Sequence, residues 1–157
     1  MRIGFGYDIH RLKTGLPLTL GGVKIPHSKG FVAHSDGDVL LHAIIDALLG
    51  AAGLPDIGEQ FPDTDKKYKC ISSLKLLEIT LTLVRRGGFR ISNVDATVIA
   101  EKPKLSKHKD RIRASIARHL RIEKSRVSIK AKTNEKLGPI GVGRAIAALA
   151  AVLLEEK

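Results

Sequence analysis

The chain has 157 residues, 43% hydrophobic and 27% charged, which suits one folded domain with a sizeable core and excludes a disordered or fibrous chain. Its one cysteine, Cys70, excludes an internal disulfide framework, and the longest apolar run, Ala145 to Leu154, is about half the ~20 residues of a membrane span. The net charge of +11 invites an anionic partner, but aromatics at 4% and the absence of tryptophan argue against the stacking platforms of a single-strand binder.

The basic residues are scattered, as in "DKKYK", "KPKLSKHKDRIR" and "RIEKSR". A solvated basic surface accounts for them, and a small phosphorylated substrate fits the same surplus. Neither nucleic acid nor a membrane is expected as a partner. "MRIGFGYDIHR" has no apolar run for a signal peptide, so the expected location is cytoplasmic.

In chain order, "RIGFGYDIHRL" alternates as a strand, with Tyr7, Ile9 and Arg11 on one side and Gly6, Asp8 and His10 on the other. "LPLTLGGVKIP" reads as a hairpin around Gly21-Gly22. A first helix follows, with Ser35 as its cap and Asp38 three residues on, and it stops between Gly50 and Gly53. "SSLKLLEITLTLVRR" has helical spacing at Leu74, Leu77, Leu81 and Val84, ended by Gly87-Gly88. "FRISNVDATVIA" alternates as a strand. "SKHKDRIRASIARHLRI" predicts a helix capped by Ser106, "RVSIKAKT" a strand, and "GVGRAIAALAAVLLEE" an apolar C-terminal helix. The expected fold is a single-domain α/β (α+β) sandwich over 1–157. It has a four-stranded mixed sheet with helices on one face, plus the small N-terminal hairpin.

The chemistry concentrates in few places. Asp8 and His10 are two apart on a strand and point the same way. Asp38, His42 and Asp46 stand at i, i+4, i+8, one polar stripe on an otherwise apolar helix. A carboxylate and two imidazoles with one open coordination place fit a catalytic zinc site, with Asp38 and Asp46 orienting the His42 ring. Separately solvated polar residues fit the same pattern equally well. "GLPDIGEQFPDTD", Gly53 to Asp65, fits a functional loop or an acidic surface loop. "KTNEKLGPIGVG", Lys132 to Gly143, lacks the P-loop spacing, yet its position between a strand and the predicted helix suits phosphate, and Glu135 suits a hard cation such as Mg²⁺. A plain connecting loop fits that segment too.

Taken together, "RIGFGYDIHRL", "GGVKIP", "AHSDGDVLLHAIIDALLGAAGL", "DIGEQFPDTD", "NVDATVIAEKPKL" and "TNEKLG" resemble the 2-C-methyl-D-erythritol 2,4-cyclodiphosphate synthase family of non-mevalonate isoprenoid synthesis. They cover almost the whole chain in the family's order. The resemblance implies a CMP-releasing cyclisation in which the substrate's 2-phosphate attacks the β-phosphorus of its own cytidine diphosphate ester. It implies zinc, or another divalent cation, on Asp8, His10 and His42, and Mg²⁺ or Mn²⁺ on Glu135. His34 and Thr133 match the family's transition-state-stabilising pair. Asp56, Ile57 and Gly58, with Phe61, Pro62, Asp63, Thr64 and Asp65, match the part that receives the methylerythritol, and Ser35, Ser106 and Asn134 match further substrate-binding positions. Ala100, Glu101, Lys102, Pro103, Lys104 and Leu105, with Lys132, match the part that holds cytidine and its phosphates. The resemblance further implies a homotrimer with active sites between neighbours. The chain departs from the pattern in "GPIGVGRAI". Pro139 replaces an aromatic residue, Val142 an arginine, Arg144 a glutamate and Ala145 a glycine, in the segment that lines the family's trimer axis. Lys132 stands where a threonine is common.

Overall fold

The computed structural model describes residues 1–33, 35–62, 64–68 and 71–156. Among these residues, seven strands and five α-helices follow in the order β1 (Arg2–Thr14), β2 (Leu18–Leu20), β3 (Val23–Ile25), β4 (Lys29–Phe31), α1 (Val39–Ala52), α2 (Ile57–Gln60), α3 (Ser73–Arg86), β5 (Phe89–Ile99), α4 (Lys109–Leu120), β6 (Val127–Lys132), α5 (Gly138–Gly141) and β7 (Ala145–Glu156). Five strands form one sheet in the order β4-β1-β7-β5-β6, and β2 with β3 forms the expected hairpin. Gly21 and Gly22 both have positive φ, +60° and +74°, which a tight two-residue turn of this kind requires. The sheet is mixed: β1 and β5 both pair antiparallel with β7, while β5 and β6 run parallel.

The C-terminal segment corrects the sequence reading. It is a strand and not a helix, and it is the central strand, so the sheet has five strands where four were expected. Lys29–Phe31 supplies the far edge. Alanine favours a helix, but only by tenths of a kcal/mol per residue. Against that, β7 makes hydrogen-bonded ladders on both of its sides and is buried or half-buried almost throughout. A run apolar on every face carries no period that separates a buried strand from a buried helix.

The helices α1, α3 and α4 cover one face of the sheet, and α1 lies closest, against β1 and β7. Two glycines of β1 set that approach. A Cβ on Gly4 would stand 1.8 Å from the Ala47 carbonyl oxygen. The core is the aliphatic filling between these layers, from Leu40, Ile44 and Leu48 of α1 to Ile112 and Ile116 of α4.

Two helix starts also differ from expectation. Asp38, not Ser35, is the N-cap of α1, accepting from the Leu41 N–H at 3.1 Å. The helix α4 begins at Lys109 with no side-chain cap, three residues past Ser106. The loop after α1 contains a short helix, α2, capped by Asp56.

Candidate active site

The alternation of β1 turns Gly4, Gly6, Asp8 and His10 toward α1, while Ile3, Phe5, Tyr7 and Ile9 face away. Because Gly4 and Gly6 let the helix backbone settle on the strand, the first turn of α1 delivers His42 directly over Asp8. The His42 Nδ1 lies 3.0 Å from Asp8 Oδ2. The His10 and His42 rings meet edge to face with centroids 5.2 Å apart. One ligand atom from each of Asp8, His10 and His42 lies within 4.8 Å of the others, the only such acidic-imidazole group among the described residues. All three side chains are partly buried, so their donors are aimed without being sealed from solvent.

This donor set fits a divalent ion of zinc's kind: one carboxylate oxygen, two imidazole nitrogens and an open side. The open side faces a cavity of about 580 Å³, whose walls include Asp46, Ile57, Gly58 and Phe61. The family resemblance placed Ile57, Gly58 and Phe61 at the substrate, and the fold brings them to the triad. Asp46 accepts from the Ile57 N–H at 2.9 Å and so ties α2 to α1. Burial, with the neighbouring carboxylates of Asp56 and Asp8, pushes the Asp46 carboxyl above its usual range, while the Ile57 amide and His42 oppose that rise. Asp56 spends one oxygen as the α2 cap, accepting from the Glu59 N–H at 2.9 Å. Pro62 is half-buried and Thr64 exposed, and Asp65 pairs with Lys67 at 2.8 Å. His34 and Asp63 lie outside the described residues.

The surroundings of His42 correct one expectation. Asp38 does not touch the ring. It is fully buried and accepts from the amides of Gly21, Gly22 and Leu41 at 2.9, 2.7 and 3.1 Å. A carboxylate at an N-cap turns back onto the free amides of its own first turn, so the i to i+4 spacing does not bring it to the ring. The His42 Nε2 instead faces Ser73 Oγ at 2.9 Å and Ser35 Oγ at 3.3 Å. Ser73 in turn hydrogen-bonds Asp36 through both its hydroxyl and its backbone N–H. Ser73 and Asp36 escaped the sequence reading. A serine opening a helix carries no signal beyond a cap, and the pairing spans 37 residues.

The second predicted half lies elsewhere on the chain. Ala100, Glu101, Pro103, Lys104, Leu105 and Ser106 face Lys132 and Thr133 across a hollow of about 250 Å³. Glu101 Oε2 accepts from the N–H groups of Asn134 and Lys136 at 3.3 and 3.4 Å, pinning the loop after β6. Thr133 donates its hydroxyl to Glu135. Glu135 and Lys136 both adopt positive φ, +49° and +63°, an uncommon conformation for residues with a Cβ. Among the described residues the two hollows share no lining residue.

The YgbB family model matches residues 1–155. The 2-C-methyl-D-erythritol 2,4-cyclodiphosphate synthase of Synechococcus sp. (strain JA-2-3B'a(2-13)) is 55% identical over 157 residues, which is 100% of both chains. Among solved structures, the bifunctional IspDF of Campylobacter jejuni has a TM-score of 0.95 at 45% identity, covering 99% of this chain, which spans only 42% of that one. A CDP complex of IspF from Plasmodium falciparum has a TM-score of 0.88 at 43% identity, covering 99% of this chain and 96% of that one. The fold, the Asp-His-His cluster and likeness along essentially the whole sequence agree, and the chain belongs to the YgbB family, that of the 2-C-methyl-D-erythritol 2,4-cyclodiphosphate synthases.

Proposed function

We propose that the chain converts 4-diphosphocytidyl-2-C-methyl-D-erythritol 2-phosphate to 2-C-methyl-D-erythritol 2,4-cyclodiphosphate and CMP, as a phosphorus–oxygen lyase of isoprenoid precursor synthesis. The carrying observation is the Asp8, His10 and His42 cluster opening onto the cavity walled by Ile57, Gly58 and Phe61. In the reaction an oxygen of the 2-phosphate forms a bond to the β-phosphorus. The bond from that phosphorus to the oxygen shared with the α-phosphate breaks, and CMP leaves with that oxygen. No water is consumed and no enzyme nucleophile is needed, so positioning and charge neutralisation carry the catalysis.

The residues divide that work. Asp8, His10 and His42 hold zinc or another divalent cation, and Glu135 holds Mg²⁺ or Mn²⁺. Bound there, the ions supply Lewis-acid stabilisation of phosphoryl charge. Ser35 and residues 56–58 and 61–65, Asp63 included, receive the methylerythritol. Its carbon skeleton suits the apolar wall, and its hydroxyls suit the amides and carboxylates beside it. Residues 100–106, with Lys132 and Asn134, hold the cytidine and its phosphates. The Lys102, Lys104 and Lys132 ammonium groups add positive charge there. The CDP bound in the Plasmodium falciparum relative supports a cytidine nucleotide as the ligand. His34 and Thr133 hydrogen-bond the phosphates as charge shifts toward CMP.

The active unit is a homotrimer of this one domain, 1–157, with each site shared between neighbours. Two observations support it. The two halves of the site sit in hollows that share no lining residue within one chain among the described residues. The sheet face turned from the helices exposes Ile3, Phe5, Tyr7 and Ile9 at 76%, 66%, 51% and 43%, a row that a neighbour would cover. Among the described residues no helix is long and apolar enough to cross a membrane, in keeping with a cytoplasmic enzyme.

Phosphorus NMR of the zinc-loaded protein with the substrate and Mg²⁺ tests the proposal. A cyclic diphosphate and equimolar CMP are expected. Unchanged substrate, with zinc shown to be bound, sinks it.

A further inference from the structure

Ser73 opens α3 with its side chain fully buried, yet no substrate or metal role accounts for it. Its Oγ lies 2.9 Å from His42 Nε2 and also hydrogen-bonds Asp36 Oδ1, while its N–H donates to Asp36 Oδ2 at 3.1 Å. A hydroxyl has one proton, and a carboxylate oxygen only accepts. The Ser73 proton therefore goes to Asp36, and the Ser73 oxygen is left to accept from a proton on His42 Nε2. The reverse orientation would leave Ser73 Oγ and Asp36 Oδ1 facing one another as two acceptors. The chain Asp36–Ser73–His42 thus selects the imidazole tautomer protonated at Nε2.

That choice has a consequence on the far side of the ring. Nδ1 presents its lone pair toward Asp8 Oδ2, 3.0 Å away. Two acceptors aimed at one another are reconciled by a metal ion between them or by a second proton that makes the ring an imidazolium, and with the ring neutral only the metal ion is left. On His10 the tautomer is the opposite one. Its Nδ1 lies 2.8 Å from the Ile9 carbonyl oxygen, which can only accept, so Nδ1 carries the proton and Nε2 is bare.

We propose that Asp36 and Ser73 are positioning residues that fix the His42 tautomer and aim its Nδ1 lone pair at the cation place beside Asp8. This rests on reading the Asp8, His10 and His42 cluster as a metal site. A ligating imidazole whose other nitrogen is hydrogen-bonded to a fixed acceptor loses less on coordination, and removing such a partner typically costs 10–100-fold in metal affinity.

Two readouts test it. Long-range ¹H–¹⁵N NMR of the metal-free protein, with imidazoles neutral and the His42 signals assigned by their loss in His42→Ala, reads the tautomer directly. Wild type should show the proton on Nε2, and Ser73→Ala should relax toward a mixture. Competition with a chromophoric chelator reads zinc affinity. Ser73→Ala and Asp36→Ala should each weaken it roughly 10–100-fold, and the double variant should be no weaker than Ser73→Ala alone, since the two act in series. Ser73→Thr, which keeps a hydroxyl, should recover most of the affinity. The melting point of each metal-free variant separates these effects from unfolding. A wild-type proton on Nδ1 overturns the proposal, as does unchanged zinc affinity in folded Ser73→Ala. If wild type binds no zinc, the metal reading falls, while the NMR result still judges the tautomer.

Discussion

Gly6 and Ala43 are in direct backbone contact: a Cβ on Gly6 would stand 2.0 Å from the Ala43 carbonyl oxygen. The missing side chain is what lets the first turn of α1 rest on β1. Ala43 is the neighbour of His42, and Gly6 lies two residues before Asp8, so the same contact sets the distance across the triad. Gly6→Ala should push α1 outward, destabilise the protein by about 3 kcal/mol or prevent folding, and weaken zinc binding. Urea unfolding and a zinc titration check both. A variant with native stability and native zinc affinity would show that the helix has room to spare.

His42→Ala should lose stoichiometric zinc and nearly all activity while the protein stays folded, because a three-ligand site rarely survives on two. Metal analysis after gel filtration, with circular dichroism as the folding control, decides it. Retained zinc would move the metal to other ligands.

Glu135→Gln should leave zinc in place and abolish the Mg²⁺ or Mn²⁺ dependence. The rate should fall roughly 10²–10³-fold, the scale for losing one transition-state charge partner. Rates measured across a Mg²⁺ titration check this. A dependence unchanged from wild type places the second ion elsewhere.

Asp38 ties the hairpin turn to the start of α1 through three amides. Asn can still accept, but its NH₂ would face one backbone N–H, so Asp38→Asn should cost ~1–3 kcal/mol. Burial pushes the Asp38 carboxyl up to about 6, against the pull of the Gly22, Gly21 and Leu41 amides. The folded state therefore holds this proton more tightly than the unfolded chain does. Its contribution to stability is fully present below the ordinary carboxylate pKa of about 4 and is lost as pH rises toward about 6. The advantage of wild type over Asp38→Asn should accordingly be larger at about pH 4 than at about pH 7. Urea midpoints of the metal-free proteins across that range check the sign.

Phe5→Glu places a charge in the middle of the exposed apolar row of β1. Sedimentation should show a trimer for wild type and a monomer for the variant, with activity lost and zinc affinity little changed, since the triad lies on the opposite face of the strand. A trimer that tolerates the charge would mean that another face makes the interface.

The alternation of "RIGFGYDIHRL", the Gly-Gly hairpin and the spacing of α3 were legible because each is a local pattern tied to one element. The chemistry of Asp8, His10 and His42 was legible as a list of donors for the same reason. The β7 strand was not, because its alanines favour a helix locally and only ladders to β1 and β5, distant in sequence, reverse that preference. Nor was the role of Asp36, which depends on Ser73 arriving at the start of α3, 37 residues later.

By itself, then, the sequence determined the residue types available for chemistry, the two-residue period that puts Asp8 and His10 on one side of β1, and the glycines that leave room above it. Only the tertiary structure decided which groups meet. It laid α1 over Gly4 and Gly6, set His42 Nδ1 opposite Asp8, turned Asp38 onto the hairpin amides, and assigned Ser73 to the far side of the imidazole. Those outcomes depend on side-chain direction and on contacts between segments far apart in the chain, and a pattern of neighbours along one dimension does not contain them.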